Sequence, residues 1–146
     1  MKLAYICSPY AGNVPENIRF ARAACRFAIQ EGFAPVAPHL LYPQLLNDAV
    51  PAERGAGLQM GLRLLSACDE LWICGETISS GMNQEIAEAK RLGIHIRTAP
   101  TQLIQTAAAE PLLHDAEPAG QAEQRYQQER EIVPEEAPAS GMKLNL

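Results

Sequence analysis

The sequence predicts an α/β protein: a parallel sheet of four to five strands with helices on both faces, most simply in the strand order 2-1-3-4. Two observations predict it. Short apolar runs alternate with helix-period segments throughout residues 1–99, and the runs are continuous, as strands covered on both faces require. Strands separated by helices of this length pair in parallel, because a parallel partner needs a long crossover rather than a hairpin.

Each element carries its own signal. Leu3–Cys7 is short, apolar and closed by Ser8-Pro9. Asn13 is a good N-cap, with Pro15 near the first helical position and Glu16 as capping-box partner. The helix that follows places Ile18, Ala21, Cys25 and Ala28 on one stripe and Arg19, Arg22 and Arg26 on another, and it stops at Gly32. That arginine row reads as a solvated helix face or as a docking face for a partner. Residues 33–37 form a second strand, ended by Pro38-His39. A Leu/Pro-rich connection leads to a helix over about 53–67 with Leu58, Leu62 and Leu65 inward. Residues 70–74 form the third strand, Ser79 or Ser80 caps the third helix, Gly93 ends it, and 94–98 form the fourth strand. The expected arrangement is a three-layer, Rossmann-like (flavodoxin-like) fold.

Composition shifts near Ala99-Pro100. We therefore expect one domain over 1–99 and a polar extension over 100–146. Within it, 101–109 reads as a short helix, 120–131 as a polar one, and the C-terminal end as disordered.

The chain has 146 residues, enough for a real core, and a net charge of −5. It has no basic field for a nucleic-acid backbone, so polymeric DNA or RNA is not an expected partner. A small phosphorylated ligand needs only a local pocket and remains open. No run of about 18 apolar residues is present, so no membrane span is expected. The opening residues are too short and strand-like for a signal peptide. Cys7, Cys25, Cys68 and Cys74 show neither CxxC pairing nor zinc spacing, which predicts free thiols in a cytoplasmic protein and no metal or redox cofactor.

In parallel sheets, ligands bind beyond the carboxyl ends of the strands, where the strand order reverses. Here the loops meeting at that point are "CSPYAGN" and "GETISSGMNQE", each leading into a helix N-terminus. Two such starts with exposed N–H groups make an anion site. Ser8, Gly12, Ser79, Ser80 and Gly81 supply hydroxyls and close backbone approach. Glu85 falls on the helical line of Met82, Ala89 and Leu92, at the edge of the sheet-facing surface. A carboxylate there is either favoured by the helix dipole or held in a cleft for chemistry. Of the histidines, only His39 lies at the correct end of the sheet, as a catalytic group or as a loop residue packed on Pro38 and Tyr42. "SPYAG" is neither a GxSxG elbow nor a lysine-bearing phosphate loop, and "GETISSG" lacks the GxGxxG order.

Taken together, "YICSPYAGN", "GFAPVAPHL", "CDELWICG" and "SSGMNQEIAEAKRLGI" resemble the nucleoside 2-deoxyribosyltransferase-like superfamily, and most its small DUF4406-type branch of bacteria and phages. The resemblance spans about residues 1–98. It implies that Glu85, at the start of the helix after a central strand, is the nucleophile at the sugar C1′ of a nucleoside or nucleoside 5′-monophosphate. Water or a second base then completes hydrolysis or transfer. It also implies that Ser8, Tyr10 and Gly12 hold the sugar or its 5′ group, with Ser79 or Ser80 opposite; His39, Gly81 and Met82 are further candidate substrate-binding residues. Tyr10 either orients Glu85, packs on the sugar, or is a turn aromatic on the surface. A homodimer or larger homo-oligomer is implied as well. One position departs from the pattern: where the superfamily carries an aspartate that helps protonate the leaving base, this chain has Gly61. Asp48, Glu53, Glu76 and His39 are the candidate substitutes, while Asp69 lies at the amino end of the sheet, where it caps a turn. The alternative function is a nucleotide-binding protein without catalysis.

Overall fold

The computed structural model describes residues 1–110, and the polar helix and disordered end expected beyond them lie outside the described residues. Strand β1 (Leu3–Cys7) is followed by α1 (Val14–Gln30), β2 (Ala34–Val36) and two 3-10 turns, Pro38–Leu40 and Tyr42–Gln44. Then come α2 (Pro51–Leu65), β3 (Glu70–Cys74), α3 (Ser80–Leu92), β4 (His95–Ala99) and α4 (Thr101–Ala108). The four strands form one parallel sheet in the order β2-β1-β3-β4. The strand order reverses between β1 and β3, as the sequence predicts.

Alternation along the strands builds two cores. Ala4 and Ile6 of β1 and Trp72 and Cys74 of β3 pack on one face with Ala24 and Ala28 of α1 and Ile104 of α4. Tyr5, Cys7 and Leu71 pack on the other with Leu65 of α2 and Met82, Ile86 and Ala89 of α3. Each fully buried large side chain, such as Ile6, Leu65 or Leu71, is worth roughly 1.5–3 kcal/mol relative to exposure. Helix α4 follows the last strand directly. Its Ile104 is fully buried, so residues past 99 also contribute to the first core.

The caps follow the sequence signals. Asn13 Oδ1 accepts the Glu16 N–H at 3.4 Å. The reciprocal half of the expected capping box is not made, because Glu16 turns to Arg19 instead. Ser79, rather than Ser80, caps α3 by accepting the Met82 N–H at 3.3 Å. Gly93 ends that helix in the left-handed conformation, φ +70°, which favours glycine.

Several expected packing positions differ. Leu58 is exposed rather than inward, and α2 buries only Gly61 and Leu65, since much of its inner side borders a cavity instead of the core. On α1, Ala21 and Ala28 are buried as expected and Ala24 joins them, while Ile18 and Cys25 are half-buried, and Leu92 at the end of α3 is exposed. β2 is shorter than 33–37, and β4 runs one residue later than 94–98. All four cysteines are free; Cys7, Cys68 and Cys74 are buried.

Candidate functional site

A cavity of about 540 Å³ lies beyond the ends of β1, β2 and β3. The loop after β1 gives it Ser8, Tyr10 and Ala11, the turn after β2 gives Pro38 and His39, and the start of α3 gives Ser79 to Met82 and Glu85. Helix α2 and the turn before it close the opposite wall with Asp48, Glu53, Arg54, Leu58 and Gly61. The structure thus brings Glu85, Tyr10, Ser8, His39, Ser79, Ser80, Gly81 and Met82 to one chamber.

Gly12 is the exception. It is exposed and outside the lining, because the chain turns away after Ala11 at positive φ and leads into the Asn13 cap. The expectation that the starts of α1 and α3 converge on one anion site is corrected accordingly: the start of α3 reaches the cavity and that of α1 does not, while the first turn of α2 lines the opposite wall through Pro51, Glu53 and Arg54.

Glu85 is held by its helix. Met82 and Ala89, on the same line, are buried against the sheet, and Glu85 is half-buried between that packing and the chamber. Its Oε2 is buried and has no hydrogen-bond partner among the described residues. Burial raises its pKa to about 7, while the neighbouring Tyr5 phenol favours the anion and acts in the opposite direction. The Tyr5 hydroxyl stands near the carboxylate without the geometry of a formed hydrogen bond, so the oxygen remains free to meet something else. Burial, and then the negative field of Glu85, push Tyr5 and Cys7 well above their ordinary ranges, so both stay neutral.

His39 and Ser8 share a hydrogen bond of 2.7 Å between Nε2 and Oγ. Burial lowers the His39 pKa to about 4, so the ring is uncharged at neutral pH. Gly61 meets the site from above Tyr5: a Cβ at that position would lie 3.4 Å from the Tyr5 hydroxyl. Of the candidate substitute acids, Asp48 and Glu53 line the cavity, whereas Glu76 does not. Its carboxylate instead accepts the Thr101 N–H at 3.1 Å and the Thr101 hydroxyl, capping α4. Asp69 accepts the Leu3 N–H at 2.7 Å at the amino end of the sheet, a bond to the start of the neighbouring strand rather than the turn cap expected for it.

Sequence reasoning overlooked Tyr5. The phenol beside Glu85 belongs to this buried strand residue, while Tyr10 lies in the cavity wall. The available signal was a tyrosine inside an otherwise apolar, doubly covered strand, since a buried phenol normally needs a polar neighbour.

Among the described residues there is no group of three or more His, Cys, Asp or Glu able to hold a metal ion, and no helix long and apolar enough to cross a membrane. A family model described as a domain of unknown function, DUF7768, matches residues 2–99. The chain belongs to the DUF7768 family. The family matched is thus DUF7768, where the sequence resemblance pointed to a DUF4406-type branch. No functionally curated protein matches the DUF7768 chain significantly. Among solved structures, it is similar to a 2-deoxyribosyltransferase from the psychrotolerant bacterium Bacillus psychrosaccharolyticus. The TM-score is 0.57 at 15% identity, over 67% of this chain and 72% of that one. A 2-desoxiribosyltransferase from Leishmania mexicana aligns with a TM-score of 0.49 at 18% identity, over 68% of this chain and 65% of that one. The first of these likenesses establishes the α/β fold that the DUF7768 domain shares.

Proposed function

We propose that this DUF7768 protein cleaves or exchanges the N-glycosidic bond of a nucleoside or nucleoside 5′-monophosphate, with Glu85 as nucleophile. The observation that carries the reading is the Glu85 carboxylate, its Oε2 buried and without a partner among the described residues, in the chamber where the strand order reverses. The fold shared with a named 2-deoxyribosyltransferase supports it.

In the proposed reaction a Glu85 oxygen bonds to the sugar C1′ as the C1′–N bond breaks. The electron pair leaves with the base, which acquires a proton. Water, or the nitrogen of a second base, then attacks C1′, and Glu85 regains its carboxylate. Positive charge develops on the sugar in the transition state, and a carboxylate with an unfilled oxygen interacts most strongly there. With a pKa of about 7, Glu85 is substantially ionised at neutral pH, and the Tyr5 phenol favours that form. The neutral Ser8–His39 pair and the Ser79–Ser80 hydroxyls offer hydrogen bonds to the sugar. Self-association, and the finer kinship to the DUF4406-type branch, belong to this same proposal.

A second reading has one observation of its own. Gly61, where the resemblance expects an aspartate, puts no carboxylate over Tyr5, and this favours a nucleotide binder without turnover. General acid help is typically worth about 10²–10⁴ in rate. The test is release of free base from a panel of nucleosides and 5′-monophosphates. Glu85→Gln is expected to abolish release while ligand-induced thermal stabilisation persists. Release that survives the substitution rejects Glu85 as nucleophile, and stabilisation without any release by the unmodified protein selects the binder.

A further inference from the structure

A second cavity, of about 240 Å³, lies beside the first, and the two share Tyr10, His39 and Pro43 in their walls. Its remaining polar side chains are Arg22 of α1 and Gln44. The two chambers differ in charge. The larger is lined by three carboxylates, Asp48, Glu53 and Glu85, against the single cation Arg54. The smaller has no carboxylate in its lining, and with His39 neutral its one charge is the Arg22 guanidinium.

The arginine row of α1 divides in a way that singles out Arg22. Arg19 is paired with Glu16, and Arg26 donates from Nη2 to the Glu110 carbonyl at 2.9 Å. Arg22 makes no ion pair and no side-chain hydrogen bond with any described residue. A guanidinium has five donors in a fixed fork suited to phosphate oxygens. Here Arg22, an exposed residue of α1, lines a chamber whose wall also includes Tyr10 and Gln44, the latter with its Nε2 donating to the Leu40 carbonyl at 2.6 Å. A phosphate placed among three carboxylates meets repulsion, whereas one placed beside Arg22 meets a positive charge that no carboxylate among the described residues pairs.

We propose that the side cavity is an anion subsite in which Arg22 binds the phosphate of the ligand whose sugar lies over Glu85, so that the substrate class is a nucleoside phosphate rather than a free nucleoside. This rests on the function proposed above for the larger cavity, and it adds a residue and a chamber to it.

The experiment is calorimetric titration of the full chain with matched pairs of nucleoside and 5′-monophosphate, and separately with inorganic phosphate. It compares the unmodified protein with Arg22→Ala, Arg22→Lys and Arg54→Ala. The unmodified protein should bind the monophosphate at least about tenfold tighter than the nucleoside, as a charge-assisted contact supplies. In Arg22→Ala the ratio of the two affinities should fall close to unity, with partial recovery in Arg22→Lys. A missing preference in the unmodified protein overturns the subsite. So does a preference that survives Arg22→Ala, or one lost in Arg54→Ala instead. If neither nucleosides nor nucleotides bind, the function proposed for the larger cavity falls, and inorganic phosphate decides the subsite alone. Phosphate binding that disappears in Arg22→Ala sustains it, and absence of phosphate binding rejects it.

Discussion

The hydroxyl of Tyr5 favours the ionised form of Glu85, while burial opposes it. Removing that one oxygen in Tyr5→Phe leaves burial unopposed, so the Glu85 pKa should rise above about 7. The ascending limb of kcat against pH is then expected to move to more alkaline values, with lower turnover at neutrality. A limb that stays in place or moves toward acid would show that Tyr5 does not tune this carboxylate. Gly61→Asp asks a complementary question. A Cβ there makes ordinary contact with the Tyr5 hydroxyl, so a carboxyl group can be accommodated near the chamber. If departure of the base limits the reaction, base release should rise, up to about 10²–10⁴-fold; an unchanged rate in a folded variant would mean that protonation of the base is not limiting. The half-buried position of Glu85 was legible in the sequence because a carboxylate between Met82 and Ala89 conflicts with an apolar packing line, whereas the role proposed for it came from the resemblance. Tyr5 was not singled out, because strand alternation reports which face a side chain takes but not what a distant helix brings to meet it.

At the scale of elements, α3 brings the candidate nucleophile to the chamber. Its first turn presents Ser79, Ser80 and Gly81, and its second presents Glu85. The Ser79 hydroxyl fixes where the helix begins. Ser79→Ala should therefore cost about 1 kcal/mol of stability, read as a shift in a denaturation midpoint. It should also weaken ligand binding by more than loss of a surface hydroxyl, because the first turn frays. Equal binding by the two proteins would mean that the start of α3 is held by its packing alone. Strand order and cap positions were legible in the sequence because each follows from local spacing and from the crossover rule. The inward face of α2 was not, since its leucines are spaced for a core that the cavity partly replaces. Gly12 was misplaced for a related reason: a glycine marks where the chain turns, not the direction it takes afterwards.

For the molecule as a whole, two buried titrating groups pull stability in opposite directions with pH. Glu85 has a folded pKa of about 7 against an ordinary 4.5, so between these values the folded chain holds the extra proton. Stability should fall as pH rises through that window, by at most about 3 kcal/mol. His39 has a folded pKa of about 4 against 6.5, so it is the unfolded chain that takes up a proton, and stability falls as pH drops through that interval. Glu85→Gln removes only the first effect. Its melting temperature should exceed that of the unmodified protein above the folded Glu85 pKa, and the advantage should shrink toward acid. Identical pH profiles for the two proteins would mean that Glu85 is not desolvated in solution. The sparse packing of α2 has one more consequence. A partition that supplies so little of the cohesion of the protein can change its side chains, at Arg54 or Leu58 for example, without endangering the scaffold. The side chains that α2 turns toward the chamber are therefore freer to vary than those of α1 and α3, which line the cavities and build the two cores at once.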